Sequence, residues 1–221
     1  MAGEAAPEVD AGPAVAAPYL ALIAGWTDAI GYLQGHAFAA NMTGNTVLLG
    51  ISLAAGQWRA AGWRAAIIAA YCLGLLTARL MVEARRGAVA AMLPAAVLIG
   101  YCAFAQVMPR DLLLLAVALG LQNASMTRFG GTRMNTTFLT GDLERLAEGV
   151  AGWLRRGRQA EGVGPVPWLW LAYAAGALLG AGAEAWLPYP LLVPALLLAA
   201  GAALLSFWRQ RQRPSAAGDK P

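Results

Sequence analysis

Apolar residues fall along this chain in eight runs, at about residues 18–35, 43–56, 65–82, 88–108, 112–127, 134–154, 165–186 and 189–208. Short gaps rich in Gly, Pro and Arg separate them. A bilayer core needs about 20 apolar helical residues per crossing, so runs of this length predict membrane helices. The expected fold is all-α: a polytopic transmembrane helical bundle of eight segments, making six to eight full crossings. A single transmembrane domain would occupy residues 18–208. A disordered tail is expected at 1–17 and a basic, disordered one at 209–221.

Two runs fit this pattern less well. The second, Thr43 to Gly56, is short and opens on Thr43-Gly44-Asn45. The sixth carries Asp142, Glu144, Arg145 and Glu148, which on a helical wheel fall within an arc of about 160°, opposite Leu143, Leu146, Val150 and Leu154. Lipid on all sides of such a face would cost several kcal/mol. The sixth segment is therefore expected to line a wet cavity or lie along the interface, and both segments are candidates for incomplete crossing.

The halves of the chain echo one another. Gly25-Trp-Thr-Asp28-Ala29 matches Gly120-Leu-Gln-Asn123-Ala124 at an offset of 95, and Thr43-Gly44-Asn45 matches Thr140-Gly141-Asp142 at 97. Ala70-Tyr71-x-x-Gly74 matches Ala172-Tyr173-x-x-Gly176 at 102. Three matches in order, with a slowly growing offset, predict two repeats, at about 18–108 and 112–208. Six crossings would invert one repeat relative to the other; eight would leave them parallel.

Composition agrees with the membrane reading. Of 221 residues, 59% are hydrophobic and 13% charged, and the mean hydropathy is +0.54. Soluble domains carry roughly 25% charged residues, and no stretch remains for a separate soluble domain. The net charge of +4 comes from arginines clustered between apolar runs, which is how loops hold a topology; no basic groove with interleaved aromatics suggests a nucleic-acid partner. Six crossings place thirteen cations on one side and three on the other, and eight crossings place ten and five. Either scheme puts both termini in the cytoplasm of a bacterial inner membrane. Seven crossings also split thirteen to three, with the N-terminus outside, but would thread duplicated halves differently. Residues 1–12 hold Glu4, Glu8 and Asp10 without Lys or Arg, unlike a signal peptide.

Little conventional chemistry is expected. Cys72 and Cys102 sit singly inside apolar runs, and His36 is the only histidine, so neither a metal site nor a cofactor is predicted. No phosphate-binding glycine loop and no Ser-His-Asp set is present, and the chain is not expected to be an enzyme. Gly31-x-x-x-Gly35 and Gly176-x-x-x-Gly180 suit close helix packing. Trp153, Trp168, Trp170, Trp186 and Trp208 stand near segment ends, as interface anchors do.

The informative residues are polar ones inside apolar runs, each of which costs free energy there. In the first half these are Asp28, Asn41, Thr43, Gly44 and Asn45; in the second, Gln122, Asn123, Thr137, Thr140, Gly141 and Asp142. They fall at matching places, and interrupted segments in corresponding positions point to a transporter's binding site. Glycine lets the backbone leave helical geometry, and a helix starting there presents free N–H groups to an anionic or polar ligand. The same residues also suit helix capping and interhelical hydrogen bonding. Asp28 is acidic where its counterpart Asn123 is neutral, an asymmetry that proton or cation coupling can use or an ion pair with Arg128 or Arg145 can absorb.

Gly25-Trp-Thr-Asp28-Ala29 through Asn41-Met42-Thr43-Gly44-Asn45-Thr46, followed by Gly120-Leu121-Gln122-Asn123-Ala124 and Thr136-Thr137-x-x-Thr140-Gly141, resembles the bacterial YoaK family. The resemblance covers nearly the whole chain. It implies a multi-pass membrane protein of about this length and no particular substrate. The reading taken from the residues is a small secondary transporter or facilitator of a polar or anionic small molecule, with lipid as its surroundings, a small-molecule or ion ligand, and a homodimer as a plausible assembly. Its alternatives are a non-transporting scaffold or sensor acting through loop arginines such as Arg155, Arg156 and Arg158, and a channel.

Overall fold

The computed structural model describes residues 11–84, 87–126, 128–129, 132–133, 147–148, 151–152, 154–155 and 166–212. Seven helices lie among them: α1 (Ala16–Gly35), α2 (Met42–Ala54), α3 (Trp58–Glu83), α4 (Gly87–Ala105), α5 (Asp111–Ser125), α6 (Val166–Trp186) and α7 (Leu192–Gln212). Three two-residue strands, β1 (Ala11–Gly12), β2 (Arg128–Phe129) and β3 (Thr132–Arg133), pair in the order β1-β2-β3. The apolar periodicity does not foresee them, because two-residue pairings leave no pattern of their own. β1 and the start of α1 also shorten the expected N-terminal tail, and α7 runs past the expected end at 208. The sixth apolar run falls largely outside the described residues.

Local chemistry sets the helix ends. α1 carries Pro18 in its first turn, where a missing N–H costs nothing. It ends at His36, which adopts a left-handed φ of 52° and donates its N–H to the Tyr32 carbonyl at 3.0 Å. α2 is capped by Asn41, whose Oδ1 accepts from the Gly44 N–H at 3.0 Å. α5 begins at Asp111, whose Oδ2 accepts from the Val107 N–H at 2.8 Å.

α3, α4 and α7 are each long and apolar enough to cross a membrane, whereas α2 and α5 are shorter apolar helices. The outer surface is what lipid requires. Leu73, Leu76 and Leu80 of α3, Val97 and Phe104 of α4, and Leu196 and Leu204 of α7 are all exposed. An apolar belt of this size would be untenable in water. Trp58, Trp168 and Trp186 stand exposed at helix ends, the depth at which indole rings anchor.

The core is built around α1 and α5. α1 buries Leu20, Ile23, Ala24 and Ile30, and α5 buries most of its length. Contacts give their directions. Gln122, late in α5, donates to the Leu20 carbonyl, early in α1. Leu112, at the start of α5, lies against Gly31 and Gly35 at the end of α1. The two helices are antiparallel. Along α6, Gly176 meets Leu22, Gly180 meets Trp26, and Glu184 accepts from Gln34. Numbers rise together, so α1 and α6 are parallel. α4 packs on both α3 and α5 and joins each by a short turn, so α3 and α5 run the same way, opposite to α1.

That arithmetic governs residues 36–57. Because α3 runs opposite to α1, the segment between them leaves and rejoins the same end of the bundle. Its inner part reaches down to Asp28, two turns back from the end of α1, with Ala37, Ala39 and Ala40 buried. α2 then climbs out again. At thirteen residues and 1.5 Å of rise each, it covers about 20 Å, little less than the fifteen residues of α5, so its return to the same end, and not its length, sets it apart from a crossing helix. α5 ends and α6 starts at one end of the bundle, by the same reasoning.

Candidate functional site

Asp28 is the centre of the first half's polar cluster. Its side chain is 2% exposed, and an uncompensated charge at such a place would be costly. The surroundings supply donors. Ala40 N–H donates to Oδ1 at 2.6 Å, and the N–H groups of Ala39 and Asn41 also bond the carboxylate. The Tyr173 hydroxyl of α6 donates to Oδ2 at 2.5 Å. The carboxylate thus gathers the backbone just ahead of α2 and joins it to α6. Backbone and phenol donors make up this set among the described residues; the ion-pair expectation for Arg128 and Arg145 falls on side chains outside them.

The rest of the Asn41–Asn45 motif holds the same turn. Asn45 is fully buried; its Oδ1 accepts from the Phe38 N–H at 2.9 Å and its Nδ2 donates to the Phe38 carbonyl at 2.7 Å. One amide side chain thereby satisfies both backbone groups of a residue that lies in no helix. Gly44 leaves space for the Phe38 ring, since a Cβ there would sit 2.8 Å from a ring carbon. Thr43 is exposed. Asp28, Asn41, Gly44 and Asn45 are therefore brought together around residues 37–41, while Thr43 points away from them.

In the second half, Gln122 and Asn123 are buried on α5. Gln122 binds α5 to α1 through Leu20, and Ser125 donates to the Gln122 carbonyl at 2.6 Å. The Gln122 Oε1 is buried with no partner among the described residues. Thr137, Thr140, Gly141 and Asp142 lie outside the described residues. No cluster of His, Cys, Asp and Glu suited to a metal occurs among the described residues. A cavity of about 510 Å³ lined by Tyr19, Met92, Met126, Phe207 and Trp208 is almost wholly apolar and touches none of the predicted site residues.

The helices carrying this cluster meet through glycines. A Cβ on Gly25 would fall 2.1 Å from the Tyr173 carbonyl oxygen, and one on Gly176 2.1 Å from that of Leu22. Across the bundle, a Cβ on Gly120 would fall 2.3 Å from the Tyr71 carbonyl oxygen, and one on Gly74 2.2 Å from that of Val117. Backbones this close leave no space for any side chain at those positions.

Comparison with known proteins places the chain. The family model described as "Protein of unknown function (DUF1275)" matches residues 16–205. The chain belongs to that family. A relative, UPF0700 transmembrane protein YoaK of Bacillus subtilis (strain 168), is 33% identical over 147 residues, 60% of this chain and 65% of the relative, just under two thirds of its length. UPF0700 transmembrane protein RA0705 of Rhizobium meliloti (strain 1021) is 29% identical over 203 residues, 87% of each chain. No solved structure matches. This DUF1275 chain is thus a membrane protein whose relatives are transmembrane proteins, and every predicted site residue lies within the matched span.

One residue at the centre of the DUF1275 site escapes a reading of intramembrane polar positions. Tyr173 occurs in an Ala-Tyr-x-x-Gly stretch that reads as packing. The available signal is its hydroxyl, which needs a partner when buried, and its recurrence as Tyr71.

Proposed function

We propose that the chain is a small secondary transporter of a polar or anionic small molecule, built from two inverted repeats of three crossings each. The observation that carries this reading is the identity of the two glycine crossings. Gly25 faces Tyr173 O and Ala177 N, and Gly120 faces Tyr71 O and Leu75 N; Gly176 faces Leu22 O, and Gly74 faces Val117 O. Adding 95 to the α1 numbers and subtracting 102 from the α6 numbers turns one set into the other. The first helix of each half thus packs on the last-matched helix of the other half, through equivalent atoms. Because α1 and α5 are antiparallel, the halves are related by an axis in the membrane plane.

Inverted repeats with interrupted segments at mid-depth are a recurrent transporter design, with the site at the repeat interface. Residues 36–54 supply such a segment. The start of α2 points inward, so its free N–H groups and positive dipole end face the interior. Asp28 takes the Ala40 N–H just ahead of α2, and moving it aside would open that turn to a ligand. The mismatched pair, Asp28 bonded by Tyr173 on one side and Asn123 opposite on the other, gives the two halves unequal charge. Coupling to a proton or cation needs such a difference. With six crossings the cations divide thirteen to three, which puts both termini on the cytoplasmic side of a bacterial inner membrane.

A second reading, a non-transporting scaffold, draws on Asn41 and Asn45, whose polar groups are occupied within the chain. Uptake of candidate metabolites into proteoliposomes separates the two. Transport requires a solute whose uptake is abolished in Asp28→Asn with the protein still folded. Uptake unchanged in a folded Asp28→Asn variant would remove this site assignment. Destabilisation by every motif variant, with no solute taken up, would favour the scaffold.

A further inference from the structure

Arg64 is a cation placed two turns into α3, at the end of the bundle where α1 stops. Its Nη1 donates to the Ser52 hydroxyl of α2 at 2.9 Å, and no carboxylate pairs with it among the described residues. Its Nε is buried without a partner among the described residues. Ser52 is 2% exposed and passes its own proton to the Leu48 carbonyl at 2.8 Å. Its oxygen is thereby left to receive Arg64. Arg64 therefore carries a positive charge and a buried N–H donor that no acceptor among the described residues answers.

Buried donors without acceptors are costly, and a guanidinium is the side chain whose planar donors best match an oxyanion. Arg64 stands on the sparsely charged side of the chain, with Arg59 and Arg110 the other cations there. A topology signal does not require it, since positive charge is disfavoured on that side. Ser52 and Asn45 are the two buried residues of α2. Seven residues apart, they share one face of the helix, about 10 Å from each other. The Arg64 corner thus sits above the Asn45 turn and Asp28, along the inner face of α2.

We infer that Arg64, held in place by the Ser52 hydroxyl, forms an oxyanion-binding site at the outer mouth of α2, taking a carboxylate or phosphate group. This rests on the transporter reading for its place on a path, and it narrows the solute to an anion. The binding itself stands on the corner's own donors. The group has two sources: a water-soluble anion, or the phosphate of an anionic lipid.

The test is thermal unfolding of the full-length purified protein. In non-ionic detergent, sodium phosphate is titrated against sodium chloride at matched ionic strength. In nanodiscs, phosphatidylcholine is compared with and without phosphatidylglycerol. Wild type gains stability from phosphate. In Arg64→Gln the apparent affinity falls about ten-fold to a hundred-fold, the loss expected for a charged hydrogen-bonding partner. Ser52→Ala and Arg64→Lys, which keep the charge, weaken binding less and guard against a misfolded Arg64→Gln variant. Stabilisation by phosphatidylglycerol alone, lost in Arg64→Gln, assigns the same site to a lipid headgroup. Stabilisation by neither, or equal stabilisation of wild type and all three variants, overturns the site. Anion binding through Arg64 without uptake of any solute would leave this site standing and dismiss transport.

Discussion

The hydroxyl of Tyr173 donates to Oδ2 of Asp28 at 2.5 Å, joining α6 to α1 one turn beyond the point where Gly25 and Gly176 bring the two backbones together. The same carboxylate holds residues 39–41 ahead of α2. One acidic side chain therefore links three parts of the fold: the central helix, a helix from the other half, and the turn that reaches into the bundle.

Tyr173→Phe removes one donor to a buried carboxylate while leaving its backbone donors in place. The expected cost is about 1 to 3 kcal/mol, read as a lower melting temperature in detergent, with solute uptake reduced. Asp28→Asn is expected to lose more, because a neutral amide replaces the charged acceptor and its NH2 turns to the Tyr173 hydroxyl. A Tyr173→Phe protein matching wild type in both melting and uptake would show that the link is dispensable.

The glycine crossings predict paired penalties. Ala at Gly25, Gly176, Gly74 or Gly120 forces a Cβ onto a backbone oxygen, and overpacking of this kind costs about 1 to 3 kcal/mol or more. The penalty at Gly25 is expected to equal that at Gly120, and Gly176 that at Gly74, because the contacts are the same. Gly50→Ala and Gly182→Ala meet nothing within 4 Å and are expected to be neutral or slightly stabilising. Melting temperatures of the six variants decide it; unequal pairs would argue against the symmetry.

Asn45→Ala leaves the Phe38 N–H and C=O without partners. At roughly 1 to 3 kcal/mol for each buried group left unpaired, the turn at 36–41 is expected to loosen. Faster proteolysis or hydrogen exchange confined to that segment is the signature. Asn45→Asp keeps the acceptor and loses the donor, so it is expected to be damaging as well, with an added buried charge. Exchange unchanged at Phe38 in Asn45→Ala would contradict the role.

Single cysteines in a background lacking Cys72 and Cys102 report the threading. An impermeant maleimide added to intact cells should label cysteine at Gln57, Arg110 and Leu187. Cysteines at Ala84 and Arg209 should react only after the membrane is opened. Labelling of cysteines at His36 and Gln57 from opposite sides would mean that α2 crosses, and with the sixth run crossing likewise the repeats would be parallel.

Much of this fold is legible in the sequence. Apolar runs locate the helices within a few residues, save α3, which begins seven residues ahead of its run, because burial in lipid selects residues locally and helix hydrogen bonds close within each segment. The polar cluster is legible too: Asp28, Asn41 and Asn45 stand out as residues that cost free energy in an apolar run. The partners they find are not. Asn45 serves Phe38, seven residues away, and Asp28 serves Tyr173, 145 residues away, and hydropathy carries no record of either pairing.

By itself, then, the sequence determined the membrane class, the helix positions and the recurrence of Gly-x-x-Asp/Asn and Tyr-x-x-Gly in the two halves, since each depends on residues close together in the chain. Tertiary structure alone decided that residues 36–57 return to the end they leave, that α1 and α5 are antiparallel, and that Asp28 is satisfied by backbone and phenol. A short apolar helix has the same composition whether it crosses or turns back. Which it does depends on contacts between distant helices, and those form only when the glycine faces of α1 with α6 and α3 with α5 are packed together.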